Sequence, residues 1–404
     1  MSATNGSEHL IVISADGHAG GNHEQYREYL EARYLDEFDA WRAAYSNPFK
    51  DLTGGTRNRN WDDERRISEL EEDGVVAEVI FPNTIPPFFP TGIVVARPPT
   101  PEDYELRLAG IRAHNRWLAD WCAGQADRRA GIGQIFLNDL DDAIADVRWC
   151  SEHGLRGGVL VGPVPDDMKH LKPLYAPDYD PLWAVCEELG VVVNTHAGGG
   201  GMPDYGPYEA AGVLWLAELT FFSRRPLTQM IVGGAFERFP GLRFVLTEQG
   251  ASWIMPMLAQ LDSYHAQMKK HGRIGELKYD PDKVLPRKPS EYFARNCWVG
   301  VSFPSPGEAA ARRDIGVDRF MWGSDYPHDE ATYPHTREGL RRAFAGATKA
   351  ELEQLLAGTA AEVYGFDLER LRPIADRVGP TYEELSVPYE GIPEGNRSPA
   401  FSRA

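Results

Sequence analysis

Short apolar runs alternate with longer amphipathic runs along most of the chain. Several apolar runs are continuous, which is typical of strands that are covered on both faces. The pattern predicts eight strands, at Leu10–Ala15, Val75–Phe81, Ala130–Phe136, Leu155–Val161, Val191–Thr195, Leu242–Thr247, Cys297–Val301 and Arg319–Gly323. Helices are predicted between them, among others at Tyr104–Cys122, Leu140–Glu152, Pro181–Leu189, Ala251–Met268 and Pro306–Ile315. This order predicts an α/β fold, a (β/α)8 TIM-type barrel.

Three segments interrupt the alternation. Residues 19–66 and 270–292 are predicted insertions after the first and sixth strands, and long loops on the catalytic face of a barrel often close over a substrate. Residues 373–404 are rich in Pro, Gly, Glu and Arg and predict an extended C-terminal arm that wraps the body or a neighbouring subunit. We therefore divide the chain into a barrel at residues 1–372 and an arm at residues 373–404.

Polar side chains follow four of the predicted strands at their C-terminal ends. Asp16 and His18 follow the first strand, His196 the fifth, Glu248 the sixth and Asp325 the eighth. A barrel of parallel strands brings all of these ends to one face, where catalytic groups converge. Two carboxylates and two imidazoles are ligands that bind a divalent metal. The sequence therefore predicts a metal-dependent active site, with Glu248 as a further carboxylate nearby.

Each of these motifs is weak when taken alone. Asp-Gly often marks only a turn, and a single histidine at a strand end is more often structural. A run of glycines at residues 198–201 follows His196 and keeps bulky side chains away from its ring. The joint occurrence of the motifs, in this order and at these strand ends, favours metal binding.

Length, charge and cysteine content narrow the classes of function. The 404 residues are enough to bury a substantial core. The net charge of −18 argues against nucleic acid and anionic membranes as partners, because both attract basic patches. The four cysteines show no paired CxxC spacing, and residues 1–8 lack the features of a signal peptide. No apolar run approaches the ~20 residues of a membrane span, so we expect a soluble cytoplasmic protein.

With these four sites, the chain resembles the amidohydrolase-related family of the amidohydrolase superfamily. Within it, the chain is similar to the branch that contains aminocarboxymuconate-semialdehyde-type decarboxylases. The resemblance extends from Leu10 to Phe366 and includes three further motifs, GAFERFPGL at 234–242, WGSDYPH at 322–328 and LLAGTA at 355–360. It implies that Asp16 and His18 form the first-strand pair of ligands and that His196 is the fifth-strand ligand. It also implies that Asp325 both binds the metal and handles a proton.

The sixth strand departs from the pattern of the family, which normally offers histidine there. In this chain Glu248 could orient a neighbouring group, act as a further metal ligand, or act as a general base if its surroundings raise its pKa. His328, three residues after Asp325, is a candidate for contacting the substrate or relaying protons. Asp325, Glu248 and His328 are therefore the candidate catalytic residues.

Candidate substrate-binding residues surround the predicted mouth of the barrel. Phe81, Asn83 and Trp215 would line an apolar or aromatic pocket. Arg57, in the first insertion, could meet a carboxylate of the substrate.

The first expectation for the reaction is hydrolysis of an amide, ester or lactone-type bond in a small aromatic or carboxylated molecule by metal-activated water. One divalent metal suits the donors, with Zn²⁺ first and Mn²⁺ as the alternative. The alternative reaction is non-oxidative decarboxylation of an aromatic or unsaturated acid, which the acidic first motif favours and Glu248 weakens. A third reading is a catalytically inactive binding protein of the same fold. We expect a small-molecule substrate and a homodimer or higher homo-oligomer.

Overall fold

Eight parallel strands form the central sheet in a computed structural model that describes residues 8–47, 55–91, 96–198 and 200–402. Neighbours in the sheet follow one another along the chain, and helices lie between them. The predicted (β/α)8 barrel is therefore confirmed. The strands are β1 (Ile13–Ala19), β2 (Ala77–Pro82), β3 (Arg129–Gln134), β4 (Gly158–Leu160), β5 (Val192–His196), β6 (Arg243–Thr247), β7 (Cys297–Ser302) and β8 (Phe320–Gly323).

The barrel closes between β8 and β1, at the level of the predicted ligands. The backbone N–H of Asp325 donates to the carbonyl of Asp16 at 2.8 Å, and the N–H of His18 donates to the carbonyl of Tyr326 at 2.7 Å. These bonds join the end of the last strand to the first. Closure of the sheet thus brings Asp325 beside Asp16 and His18, about 300 residues away in sequence.

Both faces of the strands are buried, as the continuous apolar runs indicate. Residues from strands all around the barrel, such as Ile13, Val79 and Val245, form one interior cluster. The alternate positions Phe244 and Leu246 belong to a second cluster, which packs the outer face of the sheet against the helices. The period of two along each strand separates the two clusters.

The helices surround the barrel and fill its insertions. They are α1 (His23–Tyr29), α2 (Leu35–Ala44), α3 (Asp63–Glu72), α4 (Tyr104–Ala123), α5 (Leu140–Glu152), α6 (Asp180–Leu189), α7 (Ala211–Val232), α8 (Ala235–Arg238), α9 (Ile254–His271), α10 (Pro281–Val284), α11 (Pro289–Asn296), α12 (Pro306–Ala310), α13 (Arg312–Ile315), α14 (Thr336–Phe344), α15 (Lys349–Glu353), α16 (Thr359–Tyr364), α17 (Leu368–Val378) and α18 (Tyr382–Ser386). In the part of the chain that the structure describes, no helix is both long and apolar enough to cross a membrane.

Two helices differ from the sequence-based expectation. The predicted helix at Pro306–Ile315 is divided into α12 and α13. The 22-residue helix α7 was not anticipated, since Pro226 lies within it and its mixed sequence shows no clean amphipathic period.

The predicted insertions contain ordered secondary structure. Residues 19–66 include α1, α2 and the start of α3, and residues 270–292 include α10, part of α11 and a two-stranded hairpin at Arg273–Ile274 and Leu277–Lys278. A capping box begins α1. The side chain of Asn22 accepts a hydrogen bond from the N–H of Gln25, and the side chain of Gln25 accepts one from the N–H of Asn22. Residues 48–54 of the first insertion, and Gly199 in the glycine run, lie outside the described residues.

The predicted boundary between residues 372 and 373 falls inside α17. Leu371 and Ala375, one helical turn apart, are fully buried against the barrel, and this packing continues the helix through Pro373. The chain then returns to the start of the barrel, where the N–H of Leu10 donates to the carbonyl of Pro380 at 2.8 Å. Much of the arm is therefore packed against the body of the same chain.

Candidate metal centre and substrate cavity

The four predicted ligands converge at the mouth of the barrel. Nε2 of His18 lies 3.1 Å from Oδ1 of Asp16 and 3.1 Å from Oδ1 of Asp325. Nε2 of His196 lies 3.3 Å from the same oxygen of Asp16. Both aspartates are fully buried. Side chains from β1, β5 and the end of β8 thus direct oxygen and nitrogen atoms to one small volume.

An irregularity in β1 turns two of these ligands inward. The register of β1 against β2 slips by one residue between Ser14 and Gly17. Ile13 faces the barrel interior, so strict alternation would turn Asp16 and His18 outward. The extra residue is a β-bulge, which reverses the alternation and re-aims both side chains at the site.

Two carboxylates of the site follow their strands with a left-handed backbone. Glu248 has a φ of 59° and Asp325 a φ of 65°. Such values are uncommon for residues other than glycine. Long-range bonds hold them, because the N–H of Glu248 donates to the carbonyl of Gly300 at 3.1 Å and that of Asp325 donates to Asp16. Strain of this kind often lies at functional sites.

Asp16 is fixed from two sides. The hydroxyl of Ser302, at the end of β7, donates a hydrogen bond to Oδ2 of Asp16. The other oxygen, Oδ1, faces the imidazoles of His18 and His196. Behind it, a Cβ at Gly323 would lie 2.6 Å from the Cβ of Asp16. Glycine is therefore required at 323 for β8 to approach β1 this closely.

A buried ion pair supports β1 from outside the barrel. Arg66 of α3 is fully buried, and its Nε and Nη2 donate to the two carboxylate oxygens of Glu78, each at 2.8 Å. Its guanidinium also lies over the ring of Tyr326, 4.8 Å from the centroid. A Cβ at Gly17 would lie 2.6 Å from Oε1 of Glu78, so only glycine leaves room for this carboxylate.

The electrostatics of the cluster favour added positive charge. Burial raises the pKa of Asp16, but the neighbouring His196 and His18 outweigh this effect and hold that pKa well below its usual range. Burial lowers the pKa of both imidazoles, but the charge of Asp16 outweighs it and raises the pKa of each. Burial and the charge of Asp325 raise the pKa of Glu248 to about 8.

These donors fit a divalent metal ion. Nε2 of His18 and Nε2 of His328 are buried and make no hydrogen bond of normal geometry to any described residue. A buried polar atom without such a bond is costly, and a cation that accepts its lone pair removes the cost. The oxygen and nitrogen donors of Asp16, His18 and His196 lie within 4.8 Å of one another. Carboxylates and imidazoles without a thiolate suit Zn²⁺ or Mn²⁺.

The remaining candidate catalytic residues surround the same centre. Oε2 of Glu248 lies 3.4 Å from Nδ1 of His196, and the ring of His328 lies 4.3 Å from the ring of His18, between centroids. Burial and the neighbouring His18 hold the pKa of His328 well below its usual value. The structure adds Glu330, whose carboxylate approaches those of Glu248 and Asp325 to within 4.8 Å.

A cavity of about 490 Å³ opens beside the cluster, and we call it the barrel cavity. His18, His196, Glu248, His328 and Glu330 form its polar end. Three of the predicted substrate-binding residues, Phe81, Asn83 and Trp215, also line it. The rest of its wall is largely apolar and includes Phe89, Ile135, Phe136, Leu137, Leu160 and Leu219.

Arg57 lies in the first insertion, as expected, but it does not line the barrel cavity. It lines a second cavity of about 310 Å³ in the first insertion, and the two cavities share only Thr84 and Ile85 as lining residues. Among the described residues Arg57 has no ion-pair partner. A contact between Arg57 and a substrate carboxylate stays a prediction.

Sequence reasoning missed several residues of the site. Ser302 and Gln134 end β7 and β3 as polar residues after apolar runs, so the rule that found the ligands could have found them as well. Arg107 of α4, which also lines the barrel cavity, carries no such signal because it lies on a helix. Glu330 lies in an irregular loop, where no periodic pattern exists.

Comparison with known proteins identifies the family. Residues 36–366 match the profile of the family described as amidohydrolase, so the chain belongs to this family and is an enzyme of that superfamily. The chain is 28% identical to the γ-resorcylate decarboxylase of Rhodococcus jostii over 270 residues, which cover 64% of this chain and 77% of the relative. It is 27% identical to the 2-amino-3-carboxymuconate-6-semialdehyde decarboxylase of Dictyostelium discoideum over 319 residues, which cover 76% and 77%.

A solved structure shares the fold. The 5-carboxyvanillate decarboxylase of Novosphingobium aromaticivorans, complexed with manganese and 4-hydroxy-3-methoxy-5-nitrobenzoic acid, superposes with a TM-score of 0.65. The superposition covers 90% of this chain and 98% of that chain at 17% sequence identity. At this identity the likeness supports the barrel fold alone.

Proposed function

We propose that this member of the amidohydrolase family removes carbon dioxide from a hydroxylated aromatic carboxylic acid without oxidation. The observation that carries the proposal is the cluster of Asp16, His18, His196 and Asp325, whose two histidines line the polar end of an aromatic-walled cavity. Hydrolysis, the first expectation from sequence, is the weaker reading, because the curated relatives described above are decarboxylases by name. The alternative reaction therefore becomes the main proposal.

Asp16, His18, His196 and Asp325 would hold the divalent ion. When bound, the ion supplies positive charge that holds the carboxylate and adjacent hydroxyl of the substrate and stabilises negative charge that develops during the reaction. Imidazole and carboxylate donors suit either Mn²⁺ or Zn²⁺. Ser302 keeps Asp16 oriented for this role by its hydrogen bond to Oδ2.

Asp325 would transfer the proton that replaces the lost carboxyl group. Decarboxylation breaks the bond between the ring carbon and the carboxyl carbon, and the electron pair that remains on the ring must receive a proton. Asp325 is fully buried beside His18, which lines the cavity, and is held in a left-handed conformation. A carboxyl group so held can deliver a solvent-derived proton to the ring carbon as carbon dioxide leaves.

The other residues bind and orient the acid. Phe81 and Trp215 would contact the faces of an aromatic ring, and the apolar wall would exclude water from the reacting carbon. The ring of His328, which lies beside His18 and has a buried Nε2 without a hydrogen bond to the described residues, would hydrogen-bond the phenolic oxygen. Glu248 would stay within reach of His196 and orient that ring.

Product analysis in isotopic water tests the proposal. The metal-loaded protein would be incubated with a panel of mono- and dihydroxybenzoates, amides and lactones in D₂O and in H₂¹⁸O. We expect carbon dioxide and a phenol with deuterium on the carbon that carried the carboxyl group, and no ¹⁸O in the phenol. Uptake of ¹⁸O into a cleaved amide or lactone, without release of carbon dioxide, would return hydrolysis to first place.

The assembly state belongs to the same proposal. A homodimer or higher homo-oligomer stays a prediction, and light scattering after size-exclusion chromatography measures it directly.

A further inference from the structure

We propose that the barrel cavity contains a second, anion-binding subsite, formed by Arg107 and Gln134 with Arg97 beside them, which selects aromatic acids that carry a second acidic group. This inference rests on the proposed function, because it names the class of substrate for the same cavity. It assigns to this subsite a group of the substrate other than the carboxyl group that is lost.

The first observation is a set of buried donors that lack acceptors. Nε of Arg97, Nε of Arg107 and Nε2 of Gln134 are buried, and none donates a hydrogen bond to any residue that the structure describes. All three residues line the barrel cavity. A buried donor without an acceptor is costly, so several at one place indicate that a bound ligand accepts hydrogen bonds from them.

The second observation is a buried charge with weak compensation. Arg107 is only 3% exposed, and its guanidinium lies over the rings of Phe89 and Phe136, at 4.4 and 5.4 Å from the centroids. Its acidic neighbour Asp103 lies 3.4 Å away and is itself 39% exposed, so its charge is largely screened by solvent. Arg97, by contrast, is paired with Asp167. An anion in the cavity would supply the buried negative counter-charge that Arg107 lacks.

The third observation is the position of these residues relative to the candidate metal centre. Gln134 ends β3, which lies in the barrel order between the ligand-bearing strands β1 and β5 and away from β8. Arg107 lies on α4, the helix that joins β2 to β3. The acidic side chains Glu248 and Glu330, which also line the cavity, follow β6 and β8, each three strands away from β3 around the barrel. The far edge of a ring held at the metal centre by its first carboxyl group would then face the β3 side of the cavity, where Gln134 and Phe136 lie.

The backbone N–H and carbonyl of Gln134 are both hydrogen-bonded, whereas Nε2 of its side chain donates to none of the described residues. The N–H of Gln134 donates to Oδ1 of Asn115, and its carbonyl accepts from Nδ2 of the same residue, each at 2.8 Å. Asn115 is buried and fixes the end of β3. The amide of Gln134 is thus presented from a rigid support, as specificity requires.

Equilibrium binding tests the subsite without relying on turnover. Calorimetry on the metal-loaded protein would compare 2-hydroxybenzoate with 2-hydroxyterephthalate and 4-hydroxyisophthalate, which add one carboxylate, and with 2-hydroxy-4-methylbenzoate, which adds only size. We expect one of the dicarboxylates to bind at least ~10-fold more tightly than 2-hydroxybenzoate, because its second carboxylate would accept charge-assisted hydrogen bonds from Arg107 and Gln134. The methyl derivative should show no such gain.

Variants connect the preference to the named residues. Arg107→Met should lower the affinity for the dicarboxylate about 10- to 100-fold and that for 2-hydroxybenzoate less than about 3-fold. Gln134→Met, of similar shape, should reduce the preference by a smaller factor and keeps the test valid if Arg107→Met fails to fold. Arg112→Met is the matched control on the same helix, because Arg112 pairs with Asp142 and Asp146 outside the cavity.

The outcomes separate this inference from the proposed function. Equal affinity of the wild-type protein for all ligands, or an equal loss for both acids in Arg107→Met, overturns the subsite even if carbon dioxide is released. Selective binding that disappears in Arg107→Met supports the subsite even if no hydroxybenzoate is decarboxylated. In that case only the reaction, and not the class of ligand, is wrong.

Discussion

Arg66 and His18 are joined by a hydrogen bond from Nη1 of the guanidinium to the backbone carbonyl of His18, at 2.8 Å. The same guanidinium binds Glu78 with its other nitrogens, so α3, β2 and the bulged end of β1 form one unit. The first insertion thus supports a candidate metal ligand from behind. Mutation of partners that fix the orientation of a metal ligand typically weakens metal binding or activity by roughly 10- to 100-fold.

We therefore expect Arg66→Lys to weaken metal binding about 10- to 100-fold. A lysine keeps the positive charge, but it lacks the planar guanidinium that donates two hydrogen bonds to Glu78 and a third to the carbonyl of His18. Chelator competition measures the dissociation constant, and the absorption spectrum of the Co²⁺-loaded protein reports the ligand geometry. Arg65→Lys is the control, since Arg65 pairs with Glu69 and does not touch β1. Unchanged affinity and spectrum would show that the ion pair only stabilises the fold.

Metal content is the second prediction. Protein purified without chelator should carry about one divalent ion per chain, and His196→Ala should carry far less, because alanine offers no donor in place of the imidazole. Elemental analysis gives the ratio, with His153→Ala as the control because His153 stacks on Trp149 at the surface. A wild-type protein without metal, whose melting temperature does not respond to added Mn²⁺ or Zn²⁺, would contradict the metal centre.

The third prediction concerns Asp325. Asp325→Asn preserves the shape of the side chain but removes the negative charge and the transferable proton, so turnover should fall by about 10² or more. Single-turnover assays at matched metal occupancy separate this loss from weaker metal binding. Asp318→Asn, at an exposed position, should leave turnover unchanged. Wild-type turnover in Asp325→Asn would remove Asp325 from the proton chemistry.

The fourth prediction is a pH dependence of stability at a residue distant from the site. Burial raises the pKa of Asp73 from 3.8 to about 7, while its Oδ1 accepts from the N–H of Thr336 at 3.1 Å. Between these two values the folded state holds a proton that the unfolded state has released. Stability therefore falls as the pH rises from about 4 to 7 and is constant above that range with respect to this group.

Asp73→Asn should remove this loss, because asparagine keeps the acceptor and cannot ionise. The variant should be more stable than the wild type near pH ~8, and its advantage should shrink by about 2 kcal/mol toward pH ~5.5. Urea unfolding at the two pH values measures the difference, with the exposed Asp282→Asn as the control. A gain that is the same at both values would mean that Asp73 does not titrate in this range.

Much of the fold and the main constellation of the site followed from local patterns. Continuous apolar runs predict strands buried on both faces, and eight of them with intervening helices predict the barrel. Parallel strands share one edge, so polar residues after the first, fifth and eighth strands had to meet there. This reasoning brought Asp16, His18, His196 and Asp325 together, and the structure places a side-chain atom of each within hydrogen-bond distance of at least one of the others.

Other features depend on contacts between distant segments and carry no local signal. The bulge in β1 arises where Gly17 meets Glu78 and where His18 bonds Tyr326, and one extra residue there decides which face Asp16 occupies. The path of the first insertion determines which cavity Arg57 lines. Side-chain direction in a strand changes with every residue, so local sequence determines which elements form and where they end. Only the packed structure determines which way their last side chains point and what they meet.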